Sequence, residues 1–196
     1  MTKRLLITAL AISVSTVLFA GPTPTNKKKI TPQGLYVTPQ EAHDMKTKEG
    51  DKVLFIDVRT PEELVFVGHP DVVDYDIPLK RVDYTKIVEK KKGDKVKIKF
   101  AGHKNDKFVE QVEAAVKEKG LDKNAKIIVM CRSGHRSAAA AKLLDKAGYK
   151  NVYTLDQGFE GDKDKQKHRT VNGWKNAGLP YNYKVSKDIF KFVVGQ

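Results

Sequence analysis

Short apolar runs, bounded by charged or turn-forming residues, recur along the middle of the chain. Three of them are almost wholly apolar, as expected for strands buried in a parallel sheet; they are Val53 to Asp57, Ile127 to Met130 and Val152 to Leu155. A fourth run, Val72 to Leu79, contains charged residues and has Pro78 near its end. The pattern therefore predicts four strands, of which the fourth is the least regular.

Segments with helix signals separate these runs. Thr38 and Thr60 each begin a capping box with a proline at the first helical position, and Gly50 is the expected end of the first helix. Two further helices are predicted from valines at helical spacing between Phe108 and Lys119 and from the alanine-rich segment Ser137 to Ala147. Strands that alternate with helices indicate an α/β sandwich on a mostly parallel sheet, whose ligands bind beyond the carboxyl ends of the strands.

The segment from Lys80 to Lys107 departs from this alternation because it is rich in charged residues. Within it, Val96, Ile98 and Phe100 alternate with lysines. Apolar residues at every second position are typical of a strand with one exposed face, and lysines are common on strands at the edge of a sheet. We therefore expect a half-exposed edge strand here.

The first 20 residues have the layout of a secretory signal. Lys3 and Arg4 precede an apolar run from Leu5 to Phe19, and cleavage is expected after Ala20. The run is too short for a typical spanning helix, so we expect an exported, periplasmic protein with no stable membrane insertion after signal removal. Removing 20 of the 196 residues leaves 176, enough for one domain. We divide them into a flexible leader at 21–34, a domain at 35–184 and a C-terminal tail at 185–196.

The chain is strongly basic. It has 37 lysines and arginines against 24 acidic residues, and loss of Lys3 and Arg4 with the signal lowers the net charge from +13 to about +11. Such a surface attracts anions, including oxyanion substrates and a possible acidic protein partner. No nucleic acid partner is expected, because the lysines are spread along the chain and are not interleaved with aromatic residues in one stripe.

Cys131 is the only cysteine, so the chain can form no internal disulfide. A lone thiol of this kind is either buried and inert or used in chemistry. Cys131 begins the run CRSGHRS, which lies between a predicted strand and the alanine-rich helix. A tight loop at that place turns backbone N–H groups inward as an anion site, and the helix adds the positive end of its dipole. A thiol there is expected to exist largely as the reactive thiolate.

The run CRSGHRS before an alanine-rich helix resembles the active-site loop of the rhodanese family. Five further runs resemble rhodanese positions in the same order: IDVRTPEE at 56–63, GHP at 68–70, IPL at 77–79, GFEG at 158–161, and GW with AGLP at 173–180. The resemblance covers most of residues 36–180. It implies a rhodanese-like α/β fold, in which a mostly parallel five-stranded sheet is flanked by helices and charged segments are inserted.

The resemblance also implies roles for individual residues. Cys131 is expected to be the catalytic residue and to carry sulfur as a persulfide. The pocket for the sulfur and for the donor oxyanion is expected to consist of Arg132, Ser133, Gly134, His135 and Arg136. Supporting roles are expected for Asp57, Arg59 and Ser137, with Asp57 and Arg59 paired within the scaffold. No cofactor and no metal are implied, and the histidines show no spacing typical of a zinc site.

Three functions fit these observations. The first is a sulfurtransferase that takes sulfur from thiosulfate, or from a persulfide or polysulfide donor, and passes it to a thiol or cyanide acceptor. The second is a persulfide carrier dedicated to a partner protein. The third is a cysteine-loop phosphatase or arsenate reductase, but such phosphatases place five residues between cysteine and arginine, whereas four separate Cys131 from Arg136. Segments 80–126 and 162–172 are longer than in compact rhodaneses, and surface elaboration or a docking patch fits them.

Overall fold

The computed structural model describes residues 21–193. Its helices are α1 Pro39–Glu49, α2 Pro61–Val67, α3 Phe108–Glu118 and α4 His135–Lys146, with 3-10 turns at Lys27–Lys29 and Gly50–Lys52. Its strands are β1 Tyr36–Val37, β2 Val53–Asp57, β3 His69–Pro70, β4 Tyr75–Asp76, β5 Lys80–Lys92, β6 Lys95–Lys104, β7 Lys126–Met130, β8 Val152–Leu155 and β9 Tyr181–Asn182. The signal predicted at 1–20 lies outside the described residues.

Five strands form one parallel sheet in the order β1-β8-β7-β2-β4. The central strand β7 pairs with β2 along its whole length, from Val53 opposite Lys126 to Asp57 opposite Met130. Because all five strands run in one direction, their carboxyl ends meet at one edge, where ligands bind in such sheets. The expected five-stranded α/β architecture is confirmed, and it places Cys131 at the middle of that edge.

The fourth predicted strand is present but shorter than its apolar run. Only Tyr75 and Asp76 form β4, which pairs with the end of β2. Single hydrogen bonds continue the pairing on either side, from Asp74 N to Phe55 O and from Ile77 N to Asp57 O, both at 2.9 Å. Pro78 has no N–H to donate, but Leu79 N donates to Val58 O at 3.2 Å, so the two segments stay joined one residue beyond it.

Helices cover both faces of the sheet and enclose two apolar clusters. One cluster lies between the sheet and helices α3 and α4 and includes Phe108, Val112 and Leu144. The other lies on the side of α1 and α2 and includes Met45 and Trp174, both fully buried. Within residues 21–193, none of the helices is long and apolar enough to cross a membrane.

The two predicted capping boxes fix the starts of α1 and α2. At α1, Thr38 N donates to Glu41 Oε2 at 2.8 Å and Glu41 N donates to Thr38 Oγ1 at 3.2 Å. The helix then ends at Gly50, as predicted. At α2, Thr60 N donates to Glu63 Oε2 at 3.1 Å, so the Glu63 side chain is held at the amino end of its own helix.

Strands β5 and β6 form an antiparallel hairpin of their own, and we call residues 80–104 the basic ribbon. The strand predicted from Val96, Ile98 and Phe100 is therefore present. Its position differs from our expectation, because β6 pairs with β5 and not with the parallel sheet. The lysines at alternate positions account for the difference, since they would be buried against the helices that cover the parallel sheet.

Both segments that flank the domain contact it. In the predicted leader, Gly21 N donates to Tyr36 O at 2.7 Å and Gln33 Nε2 donates to Ala141 O of α4 at 3.0 Å. In the predicted tail, Ile189 O accepts a hydrogen bond from Asp76 N at 2.8 Å, beside the edge strand β4. The domain limits at residues 35 and 184 stay predictions.

Candidate active site

Cys131 directly follows β7 and is 2% exposed. On one side, Val58 N donates to Met130 O at 2.8 Å, which ties the end of β7 to the residue that follows β2. On the other side, α4 begins at His135, so the chain turns within residues 132–134. The thiol therefore lies at the base of a tight loop, at the carboxyl edge of the sheet.

The carbonyl groups of this loop are held by the GFEG segment at 158–161. Three backbone N–H groups of residues 159–161 donate to the carbonyl oxygens of Cys131 and Arg132, at 2.7, 3.0 and 3.1 Å. A Cβ atom on Gly158 would lie 2.5 Å from Cys131 O, so only glycine permits this approach. These contacts fix the direction of the loop backbone.

The N–H groups of the same loop are available to a ligand. Those of Arg132, Ser133 and Gly134 donate to no acceptor in the part of the chain from 21 to 193. Gly134 has φ +87° and precedes α4, and a Cβ atom there would lie 1.9 Å from Asp156 O. The first N–H groups and the positive dipole end of α4 thus adjoin the loop, as the sequence predicted.

Arg136 forms a two-bond ion pair with Glu63 of α2. Arg136 Nη1 donates to Glu63 Oε2 at 2.6 Å, and Nη2 donates to Oε1 at 2.7 Å. Burial lowers the pKa of Arg136, but the hydrogen bonds and the charge of Glu63 outweigh burial, so its pKa is raised. Burial raises the pKa of Glu63, but the contacts with Arg136 bring it below its usual value. Two guanidinium nitrogens predicted to bind substrate therefore bind a protein carboxylate.

The other predicted pocket residues differ in exposure. Arg132 is exposed, and its guanidinium has no hydrogen-bond or ion-pair partner within the described residues. His135 is also exposed, and its Nε2 lies 3.3 Å from Asn26 Nδ2, so the leader reaches the loop. Ser133 is half-buried. Ser137 is fully buried in α4, and its Oγ has no hydrogen-bond partner in residues 21–193.

Asp57 and Arg59 form a fully buried pair beside the loop. Arg59 Nε donates to both carboxylate oxygens of Asp57 at 3.0 Å, and Nη2 donates to Asp57 Oδ2 and to Gly68 O, each at 2.7 Å. The guanidinium carbon of Arg59 lies 4.3 Å from the centre of the Phe159 ring. The pair thus connects the end of β2 to the GFEG segment that holds the Cys131 carbonyl, as expected of a scaffold pair.

Asp76 is a buried acid that sequence reasoning did not single out. It lies opposite Asp57 in the pairing of β2 and β4, and both of its carboxyl oxygens lack a hydrogen-bond partner within the described residues. Burial, and then the charge of Asp57, raise the pKa of Asp76 well above its usual range. A buried acid with a raised pKa therefore adjoins the ion pairs that support the loop.

The histidines contribute no metal site in the described part of the chain. Within residues 21–193, no group of three or more histidine, cysteine, aspartate and glutamate side chains is placed to hold a metal ion. His69 has Nδ1 2.9 Å from Pro70 O and Nε2 3.2 Å from Lys184 O. Both ring nitrogens of His69 therefore lie beside backbone carbonyl oxygens.

Comparison with known proteins agrees with this geometry. A thiosulfate sulfurtransferase, GlpE of Tolumonas auensis, is 42% identical over 41 residues, which are 21% of this chain and 39% of that protein. An uncharacterized protein of Rickettsia conorii is 31% identical over 144 residues, which are 73% of this chain and 93% of that protein. The crystal structure of Rv0390 from M. tuberculosis has a TM-score of 0.53 at 28% identity, covering 75% of this chain and 96% of that one.

Residues 38–165 match the rhodanese-like domain, which is more than half of the chain. The sheet, the loop at the end of β7 and the order of the quoted runs all agree with this match. A sulfurtransferase-type role is supported in general terms. The chain belongs to the family of rhodanese-like domains.

Proposed function

We propose that this protein is a sulfurtransferase that moves sulfane sulfur from thiosulfate, or from a persulfide or polysulfide donor, to a thiol or cyanide acceptor through a Cys131 persulfide. The observation that carries the proposal is the place of the thiol. Cys131 lies at the base of a loop whose N–H groups are unpaired within residues 21–193, at the amino end of α4. Such N–H groups stabilise a thiolate, a persulfide anion or a bound oxyanion.

The proposed reaction has two displacements. The Cys131 thiolate attacks the outer sulfur of thiosulfate, a sulfur–sulfur bond to Cys131 forms, and sulfite leaves with the electron pair of the bond that breaks. A thiolate or cyanide then attacks the outer sulfur of the persulfide, and Cys131 leaves as thiolate. The added sulfur extends about 2 Å beyond Cys131 Sγ, toward the N–H groups of the loop. The unpaired Arg132 guanidinium attracts the donor oxyanion.

The Arg136 contacts favour sulfur transfer over phosphate ester hydrolysis. A phosphatase loop uses its closing arginine to bind phosphoryl oxygens through two parallel N–H bonds. Here two guanidinium nitrogens of Arg136 already donate to Glu63, at 2.6 and 2.7 Å. A loop with four residues between cysteine and arginine is also smaller than the phosphatase loop. We therefore expect no measurable hydrolysis of an aryl phosphate.

A persulfide carrier for a partner protein is the second candidate, because it uses the same Cys131 chemistry. The specific observation in its favour is the basic ribbon, which forms a sheet separate from the parallel sheet and exposes charged and apolar side chains. The two candidates differ in turnover. A sulfurtransferase converts thiosulfate and cyanide repeatedly, whereas a dedicated carrier accepts one sulfur atom and releases it slowly to small acceptors.

Intact mass measurement tests the proposal. After incubation with thiosulfate, we expect the protein to gain the mass of one sulfur atom and to lose it when cyanide is added. Cys131→Ser is expected to gain none while its circular dichroism spectrum stays unchanged. Sulfur transfer by the serine variant would contradict the role of Cys131. Phosphatase activity that depends on Cys131 would instead favour the third function. Uptake of one sulfur atom without repeated conversion of thiosulfate and cyanide would favour the carrier.

We also propose that the protein is exported to the periplasm, with cleavage after Ala20. The support is the apolar run between Lys3–Arg4 and Gly21. Cell fractionation and the amino-terminal sequence of the product test this proposal. An uncut chain in the cytoplasm would contradict it.

A further inference from the structure

The basic ribbon has one predominantly apolar face. Directly paired residues of an antiparallel hairpin lie on the same face. The face of Val96, Ile98 and Phe100 therefore also carries their partners Lys91, Glu89 and Ile87, two of which are charged. The rings of Tyr84 and Phe100 are 5.1 Å apart, so Tyr84 extends this face. Its large apolar side chains are between 49% and 67% exposed; they are Tyr84, Ile87, Val96, Ile98 and Phe100. A contiguous exposed patch of this kind is typical of a binding surface.

The opposite face of the ribbon is basic. Lys95, Lys97 and Lys99 alternate with the apolar residues of β6 and therefore point to the other side of the strand. Lys97 pairs directly with Lys90 across the hairpin, which adds a further lysine to this face. Residues 80–104 contain ten basic and three acidic residues, a net charge of +7. The ribbon is thus suited to an acidic partner.

One backbone edge of β6 is free. The ribbon contains only two strands, so each strand has one side without a neighbour. In the described part of the chain, no backbone group from Val96 to Phe100 bonds to any segment other than β5. A third strand therefore has hydrogen-bonding groups available to it along β6.

The base of the ribbon lies near the Cys131 loop. Burial and the carboxylate of Glu62 raise the pKa of Tyr84 to about 12, so Tyr84 adjoins Glu62 at the start of α2. The next residue, Glu63, holds Arg136 through two hydrogen bonds. The base of the ribbon therefore adjoins the helix whose Glu63 holds Arg136 of the active-site loop.

We propose that the basic ribbon binds an extended acidic segment of a partner protein, which adds to the free edge of β6 as a third strand. Side chains of a strand alternate between its two faces. A segment in which glutamate or aspartate alternates with apolar residues therefore places carboxylates beside Lys95, Lys97 and Lys99 and apolar groups beside Val96 and Ile98. Backbone pairing supplies affinity, and the alternation supplies specificity.

Two other occupants fit the ribbon less well. A second copy of β6 would place lysines opposite lysines, and like charges that face each other across strands are unfavourable. A lipid surface contacts only one face of a ribbon, so it would leave either the apolar face or the face with Lys95, Lys97 and Lys99 unused. An added acidic strand uses both faces.

A labelled peptide tests the proposal directly. The probe is fluorescent Glu-Val-Glu-Ile-Glu-Val-Glu, with Lys-Val-Lys-Ile-Lys-Val-Lys as its charge-inverted counterpart, and binding is followed by anisotropy with the purified protein. We expect saturable binding of the acidic peptide only. The triple change Lys95→Glu, Lys97→Glu and Lys99→Glu is expected to weaken binding about tenfold or more, because three favourable cross-strand pairs become repulsive.

The matched control is the triple change Lys163→Glu, Lys165→Glu and Lys167→Glu. These exposed lysines have the same spacing and the same charge but lie in the segment 162–172, away from the ribbon. Binding by this variant is expected to stay within about threefold of the wild type, since it alters only long-range attraction. If both variants lose the same affinity for the acidic peptide, binding depends only on the net charge of the protein, and the proposal is overturned. Circular dichroism establishes that both variants are folded.

Two further measurements distinguish strand addition from other modes. Hydrogen exchange of the β6 amides is expected to slow when the acidic peptide is bound, because added backbone pairing protects them. Unchanged exchange would overturn strand addition. Binding to vesicles of phosphatidylcholine and phosphatidylglycerol, without binding to the peptide, would overturn the proposal in favour of a lipid surface.

Discussion

At the scale of single residues, alanine substitutions at two glycines with similar backbone angles can measure how tightly the active-site loop is packed. Gly134 and Gly148 have φ of +87° and +93°. A Cβ atom on Gly134 would lie 1.9 Å from Asp156 O, whereas one on Gly148 would have nothing within 4 Å. We expect Gly148→Ala to cost about 1 kcal/mol, because of its backbone angle alone. Gly134→Ala adds a clash with backbone and is expected to cost about 3 kcal/mol or more.

Urea unfolding of both variants measures these costs, and sulfur uptake from thiosulfate measures the effect on the loop. Gly134→Ala is expected to lose uptake, whereas Gly148→Ala is expected to keep it. Equal free energies of unfolding for the two variants would mean that the loop moves away from Asp156 without cost, which would contradict a rigid site.

Asp76 is expected to lower the stability of the folded protein as pH rises, whereas a carboxylate in an ion pair lowers it as pH falls. Burial and the charge of Asp57 raise the pKa of Asp76 in the folded protein. The folded state therefore binds this proton more tightly than the unfolded state does. Its contribution is fully present below the usual aspartate pKa of about 4 and is lost as pH rises toward the raised value.

The change Asp76→Asn removes this group without changing its size. At pH 7 the variant is expected to be more stable than the wild type by about 1 kcal/mol or more, since a shift of one pKa unit corresponds to about 1.4 kcal/mol. The gain is expected to shrink as pH falls to 4, which urea unfolding between pH 4 and 8 measures. Asp94→Asn provides a control, because it makes the same chemical change at an exposed position. A variant that is less stable than the wild type at pH 7 would contradict a raised pKa of Asp76.

At the scale of secondary-structure elements, the basic ribbon is attached so that its loss leaves the domain intact. Asn105 N donates to Leu79 O at 3.1 Å, and Asn105 Nδ2 donates to Pro78 O and to Gln111 Oε1 at 2.8 and 2.7 Å. These contacts hold the two ends of the ribbon together. We expect that replacing residues 81–103 by Asn-Gly, a favourable two-residue turn, changes the free energy of unfolding by less than about 1 kcal/mol.

Asn105→Ala is the control for this deletion. It leaves the ribbon in place but removes a buried side-chain amide that donates to two acceptors. The free energy of unfolding is therefore expected to fall by about 1–3 kcal/mol. Thermal or urea unfolding compares the two variants. If the deletion costs more than Asn105→Ala, the ribbon contributes to the folding of the domain, and its proposed role as a separate docking surface would be weakened.

The elements that could be predicted from sequence are those whose signals are local. Thr38 and Gly50 define the limits of α1, and the loop from Cys131 to Ser137 is recognisable because strand, loop and helix follow one another directly. The partner of β6 could not be predicted, because β5 begins and ends in lysines and lacks the regular alternation seen in β6. Its pairing becomes evident only in the folded hairpin.

The same distinction applies to the site. Cys131 and its loop could be predicted from one run of sequence, but Glu63 and Asp76 could not. The sequence explains Glu63 as the acid of the capping box that begins at Thr60, and only the folded structure brings it to Arg136. Asp76 looks like a polar residue at the end of a strand. Its burial depends on its register opposite Asp57, which no local pattern encodes.

At the scale of the whole molecule, the signal predicted at residues 1–20 would determine the compartment in which the protein acts. In a Gram-negative host, we expect the protein in the periplasmic fraction with Gly21 as its first residue. Leu10→Arg interrupts the apolar run and is expected to retain the chain in the cytoplasm. Fractionation and amino-terminal sequencing measure both outcomes. An uncut chain in the membrane fraction would show that the run acts as an anchor.

The contact of Gly21 with Tyr36 gives processing a consequence for the folded protein. Gly21 N donates to Tyr36 O at 2.7 Å, and a Cβ atom on Gly21 would lie 3.2 Å from Glu41 Oε2. Cleavage after Ala20 converts this peptide nitrogen into an ammonium group with three donors. The carboxylate that closes the capping box of α1 then gains a cationic neighbour. Precursor and product would therefore differ in electrostatics at the start of α1. Cleavage would create an ammonium group on Gly21 close to the Glu41 carboxylate, which the precursor already holds in the capping box.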